Sequence, residues 1–104
     1  MTELLEQIQA LIGASTRDIA KIERTLTDGY AHALSLEAER SRLERRRDEV
    51  AHGIQRGDTA KKARELATLS RRIEGNRDDL TTLRGLLGDL RKHADDVRVG
   101  SPSR

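Results

Sequence analysis

Apolar residues recur along this chain at alternating steps of three and four, the spacing of one stripe on an α-helix. In the first half, one set of seam positions is Leu5, Ile12, Ile19, Leu26, Ala33, Arg40 and Arg47. Its companion set is Ile8, Ser15, Ile22, Gly29, Leu36, Leu43 and Val50. In the second half the sets are Leu66, Ile73, Leu80, Leu87, Ala94 and Leu69, Asn76, Leu83, Leu90, Val97. The second repeat runs without a stutter. Such heptads predict two long helices joined by a narrow seam.

Breaks in the pattern set the boundaries. His52-Gly53-Ile54-Gln55-Arg56-Gly57-Asp58 carries two glycines four apart and reads as the turn, centred between Gln55 and Arg56. Gly53 suits a left-handed position after the first long helix, and Asp58 suits the N-cap of a helix starting near Thr59. A softer break lies at Gly13-Ala14-Ser15-Thr16-Arg17-Asp18, where Ser15 and Asp18 have capping-box spacing. It separates a short helix, Thr2 to Ile12, from a long one, Thr16 to Ala51. The alternative is one continuous helix that tolerates Gly13 at about 1 kcal/mol. The lone proline is Pro102, in the C-terminal tail. The expected fold is therefore all-α. It is a long antiparallel coiled-coil helical hairpin over 15–98, with an N-terminal amphipathic helix or extension over 1–14 and a disordered tail over 99–104.

Charges beside the seam specify the pairing. With the turn at 55–56, one flank opposes Glu39 to Arg72, Arg46 to Glu65, His32 to Asp79, Asp18 to His93 and Thr25 to Leu86. The other opposes Glu23 to Arg91, Tyr30 to Arg84, Glu37 to Arg77 and Glu44 to Ser70. In the seam, Gly29 is expected against Leu80, Ala33 against Asn76, Leu26 against Leu83, and Ile12 against Val97. Exposed ion pairs add only about 0–1 kcal/mol each. Their role is to disfavour parallel dimers, which would oppose Glu39 to Glu44 and Arg72 to Arg77. Asn76 reads as a register device.

Composition narrows the picture. Hydrophobic residues make up 35%, charged residues 37%, and Tyr30 is the one aromatic among 104 residues. That mixture cannot fill a thick core, but it fills a two-helix seam. Zero cysteines exclude disulfides and thiolate metal sites. No apolar run approaches the roughly 18 residues of a membrane span. The first twelve residues carry acids where a secretory signal needs basic residues, so a cytoplasmic location is expected. Arg-rich, Lys-poor, Ala/Leu-rich usage suggests a GC-rich bacterial genome.

The net charge of +2 conceals a polarity. Residues 40–72 hold 11 Lys/Arg against 5 Asp/Glu, and the remainder holds 9 against 13. Arg40 and Arg47 occupy seam positions at the turn end, which must be splayed, hydrated or bound. Contact with nucleic acid or an acidic partner would fall on Arg42, Arg45, Arg46, Arg47, Arg56, Lys61, Lys62 and Arg64. No aromatic accompanies them, so any nucleic acid would be bound through its backbone. This basic hairpin resembles in plan the helical arm with which seryl-tRNA synthetases contact tRNA, which implies an RNA-contacting tip. A solvated, salt-bridged helix surface is the alternative.

The opposite end has a different character. Leu4, Leu5, Ile8 and Leu11 form one apolar face that the expected hairpin leaves uncovered, and with Ile12 they make up the expected dimer or partner interface. Burying each is worth about 1.5–3 kcal/mol, so a partner is expected. Either the segment folds back at 13–15 as a third helix, or two chains associate through it; a symmetric homodimer is favoured. Gly75, Gly85 and Gly88 lie on the outer face and mark either close approach of another helix or tolerated surface glycines.

His32, His52 and His93 lie far apart in this register, and no phosphate loop or nucleophile elbow is present. No catalytic residue, metal ligand, cofactor or small-molecule substrate is expected. The expected function is that of a non-enzymatic adaptor, scaffold or regulatory module, partnered by a protein and by its own copy. A nucleic-acid-associated protein is the alternative. A small secreted hairpin of the WXG100 type is a third, from which the chain departs by reading His52-Gly53-Ile54 without the tryptophan.

Overall fold

The computed structural model describes every residue except Ser15, Gln55, Arg56, Asp58 and 101–104. The fold is an all-α helical hairpin preceded by a short helix. Helix α1 spans Thr2–Gly13, α2 spans Ile19–Ile54 and α3 spans Thr59–Arg98. Among the described residues there is no strand. The chain divides into two compact units: Met1–Leu34 with Thr81–Arg104, and Ser35–Leu80.

Helix ends follow local chemistry. Asp18 caps α2: its Oδ1 accepts from the Lys21 backbone N–H at 3.2 Å. This fixes the helix start at Ile19 rather than Thr16, because an N-cap residue itself stays outside the helix. Ser15, the other half of the expected box, lies outside the described residues. So do the expected turn centre at 55–56 and the Asp58 cap. Helix α2 continues past Ala51, so Gly53 is helical and not left-handed. Among the described residues of this turn, Gly57 takes a positive φ, at 119°. Gly53 serves a different purpose. A Cβ there would lie 3.1 Å from Lys62 Cδ, so glycine lets the lysine stem cross the helix. Lys62 Nζ then donates to the Gly53 carbonyl at 3.5 Å, satisfying one of the orphan acceptors of the last turn. At the far end, Gly100 takes φ 76° and its N–H bonds the Val97 carbonyl at 3.0 Å. That left-handed residue ends α3. Residues 101–104 of the expected tail lie outside the described residues.

The second unit is a two-helix hairpin. Its core is Leu43, Val50, Leu69 and Ile73, with Leu66 half-buried beside them. All five occupy heptad seam positions. Across the seam, Arg46 Nη2 meets Glu65 Oε2 at 2.8 Å, and Arg72 Nη2 lies 4.0 Å from Glu39 Oε2. Both pairs are those expected from the charge pattern, and their order makes the segments antiparallel. Asn76 is buried and its Nδ2 donates to the Leu36 carbonyl at 2.9 Å.

The first unit has three helical layers, not two. Ile8, Ile22, Leu83, Leu90 and Ala94 reach 0% exposure, with Leu26 and Leu87 close behind. Its α2–α3 contacts are also antiparallel, but at Gly29 and Glu23 they fall one heptad beyond the expected partners. Gly29 sits against Leu87 rather than Leu80; a Cβ on it would come within 3.3 Å of Leu87 Cγ. Glu23 pairs with Arg98 rather than Arg91. A heptad repeat fixes each partner only to within seven residues, so the same stripe is compatible with this neighbouring choice. In the second unit, the Arg46–Glu65 and Glu39–Arg72 pairs stay as expected. The expected Asp18–His93 flank contact is also replaced. His93 Nε2–H donates to the Thr16 carbonyl at 2.6 Å, tying α3 to the connection before α2.

Candidate interaction surface

The five apolar residues of α1 are distributed between core and edge. Ile8 is fully buried and Leu11 is 7% exposed, while Leu4, Leu5 and Ile12 are half-buried. Of the two expected covers for this face, folding back within the chain is the one observed for Ile8 and Leu11, rather than the favoured dimer. The physical reason is proximity. A short connection places an amphipathic helix beside apolar side chains of its own unit, and those covalent neighbours are at high effective concentration. Gln7, Ala10 and Leu11 of α1 and Lys21, Arg24, Thr25 and Asp28 of α2 line a groove of about 390 Å³. Thr25 is itself only 8% exposed, because it faces this contact from a flank position that a two-helix seam would leave open.

The basic residues of the second unit divide by partner. Arg46 bridges Glu65 and, at 3.5 Å, Glu49. Hydrogen bonding and charge attraction from Glu65 raise its pKa above the ordinary arginine value, with a smaller contribution from Glu49. A raised folded-state pKa contributes stability that is lost only as pH climbs through it, so this bridge is constant over ordinary pH. Arg47 Nε lies 3.6 Å from Asp48 Oδ1, and Lys62 is held on Gly53. Arg40 and Arg47 are half-buried, as seam-position cations with hydrated ends should be. Arg42, Arg45, Lys61 and Arg64 are exposed. Arg56 lies outside the described residues. Residues 42, 45, 61 and 64 are the members of the expected basic group that project without a described carboxylate partner.

One surface was not singled out in the sequence. Thr27, Tyr30, Ala31 and Leu34 are exposed along α2, with Tyr30 at 43% and Leu34 at 66%. The available signal was an uncharged run at 3–4 spacing away from the seam, inside a chain that is 37% charged. Among the described residues, no group of three or more His, Cys, Asp or Glu is arranged to hold a metal ion, and no helix is long and apolar enough to cross a membrane.

No protein-family model, no curated protein and no solved structure matches the chain.

Proposed function

We propose that this chain is a non-enzymatic helical interaction module that presents α2 to a protein partner. The observation that carries this reading is the exposure of Tyr30 and Leu34 beside Thr27 and Ala31 on one face of that helix. Single exposed apolar residues need no explanation, but a row of uncharged positions on a highly charged helix does. Docked helices recognise one another through such rows at positions i, i+3, i+4 and i+7. Helix α1, with Ile8 and Leu11 engaged in its own unit, acts in this reading as a stiffener of the end that carries the face. Its remaining edge of Leu4, Leu5 and Ile12 is the part of the expected dimer face still half-open.

The test is a photo-crosslinking residue at position 34, irradiated in cell extract and with the pure chain. A discrete adduct at 34, absent when the same residue stands at exposed position 64, is expected. If position 34 gives no adduct to anything, the reading is wrong.

The exposed cations Arg42, Arg45, Lys61 and Arg64 favour a second reading, binding to a nucleic-acid backbone. Affinity for duplex or single strands that falls steeply from low to moderate salt, and is lost on replacing Arg42 and Arg45, would support it. Absence of binding at low salt would remove it.

A further inference from the structure

Within the first unit, the uncharged row on α2 has a complement on α3. Thr27 Oγ1 already donates to the Glu23 carbonyl at 3.0 Å, so its hydroxyl makes no demand on a partner. Tyr30 and Leu34 then form a ridge, being two of the three large apolar side chains left exposed among the described residues. On α3, Thr81, Gly85 and Gly88 are exposed one helical turn apart. A Cβ built on either glycine meets nothing within 4 Å, and neither has positive φ. No intrachain contact or backbone conformation among the described residues therefore calls for glycine there, although glycine weakens a helix interior. The ridge and the floor are of matching kind: large apolar side chains on one helix, absent side chains on the other.

The flanking charges choose the orientation. Laid antiparallel with Leu34 over Gly85, the ridge brings Ala31 over Gly88. In that register Arg24 comes beside Asp96, and Asp28 beside Lys92. Arg24, Asp28, Lys92 and Asp96 are all exposed. Two opposite-charge pairs thus border the contact, which sets direction more than affinity.

We infer that the partner of the α2 ridge is a second copy of this chain, received antiparallel on the Thr81–Gly85–Gly88 face of its α3. The inference rests on the interaction reading above and narrows it to self-association. A closed two-fold pair satisfies both ridges and both floors; a single contact per pair leaves an open chain.

Sedimentation of the pure full chain over a wide concentration range tests it. Mass should rise with concentration. Leu34→Asp should weaken association by about tenfold or more, and at concentrations where the parent is monomeric it should not lower Tm, since the side chain is exposed. Gly85→Leu separates this role from a merely structural one. It should raise Tm, because leucine is the better helix former, and yet weaken association by filling the floor. Arg24→Asp should weaken association, and adding Asp96→Arg should restore it. A monomer at every concentration overturns the inference, as does association that survives both Leu34→Asp and Gly85→Leu. If the pure chain is monomeric while position 34 still crosslinks a different protein, self-association fails and the interaction reading stands. No adduct at all removes both.

Discussion

The two units use the same heptad grammar and reach different degrees of burial. In Met1–Leu34 with Thr81–Arg104, five apolar side chains are completely shielded from solvent. In Ser35–Leu80 the core residues keep between 2% and 8% of their surface, and Arg40 and Arg47 take seam positions. The difference is α1. A two-helix seam covers each side chain from one direction and leaves its flanks to long polar neighbours. A third helix closes one flank, so that even Thr25 is buried there. The open seam takes Arg40 and Arg47 half-buried because their heads reach water, and among the described residues neither unit buries a charged residue fully.

The largest break in that comparison is expected at Ile8. Ile8→Ala removes a fully buried side chain from α1 and should cost about 2–5 kcal/mol in urea or thermal unfolding. The loss should fall on the first unit. Hydrogen exchange should speed up for amides near Ile22 and Leu87 and stay slow around Leu43 and Leu69. Uniform acceleration would mean that the two units unfold together.

A second contrast concerns glycines within the first unit. Gly29→Ala pushes a methyl into Leu87, which is itself 2% exposed and has little room to move. Overpacking of about 1–3 kcal/mol should outweigh the helix-propensity gain of about 1 kcal/mol. Gly85→Ala, facing open space, should instead stabilise by about 0.5–1 kcal/mol. The opposite signs are the prediction, read as Tm shifts in opposite directions; two shifts of one sign would refute the packing of Gly29 on Leu87.

Asn76 sharpens the account of the second unit. Its Nδ2 reaches the Leu36 carbonyl, while its Oδ1 is buried without a partner. An unsatisfied buried acceptor costs about 1–3 kcal/mol, so Asn76→Leu should raise stability by about 1 kcal/mol or more. The same change removes a buried polar contact across this seam. Broadened or doubled amide signals for residues near Leu36 should accompany the higher Tm. A stabilised variant with one sharp set of signals would show that the seam needs no polar marker.

What the sequence made legible follows from these forces. Every buried residue of α3 occupies a heptad seam position, because a long uninterrupted repeat leaves one way to bury a stripe. The Glu39–Arg72 and Arg46–Glu65 pairs were readable because opposite charges flank that stripe at fixed spacing. The one-heptad displacement of Glu23 and Gly29 was not, since a heptad repeat fixes each partner only to within seven residues. The fold-back of α1 was readable only as one of two options: an amphipathic helix records that it needs a cover, not whose. The Leu34 face was visible as spacing only, because four uncharged positions on an outer face do not by themselves say whether water or a partner covers them.

The smallest effect belongs to the charges that read most clearly. Glu39 and Arg72 stand 4.0 Å apart with side chains 42% and 58% exposed. Water and salt screen such a pair, and holding two flexible side chains together offsets most of its attraction. Glu39→Gln should therefore change unfolding stability by at most about 0.5 kcal/mol. Reversing one charge, Glu39→Arg, opposes two cations and should cost slightly more, with the loss shrinking as salt is added. If both variants match the parent at low salt, the pair contributes nothing measurable to stability and is left only the task of penalising wrong pairings. Arg72→Glu in the Glu39→Arg background decides that point. Restored pairing of the original helices, read by a crosslink between positions 39 and 72, would show that complementarity, and not the identity of either residue, sets the register of the second unit.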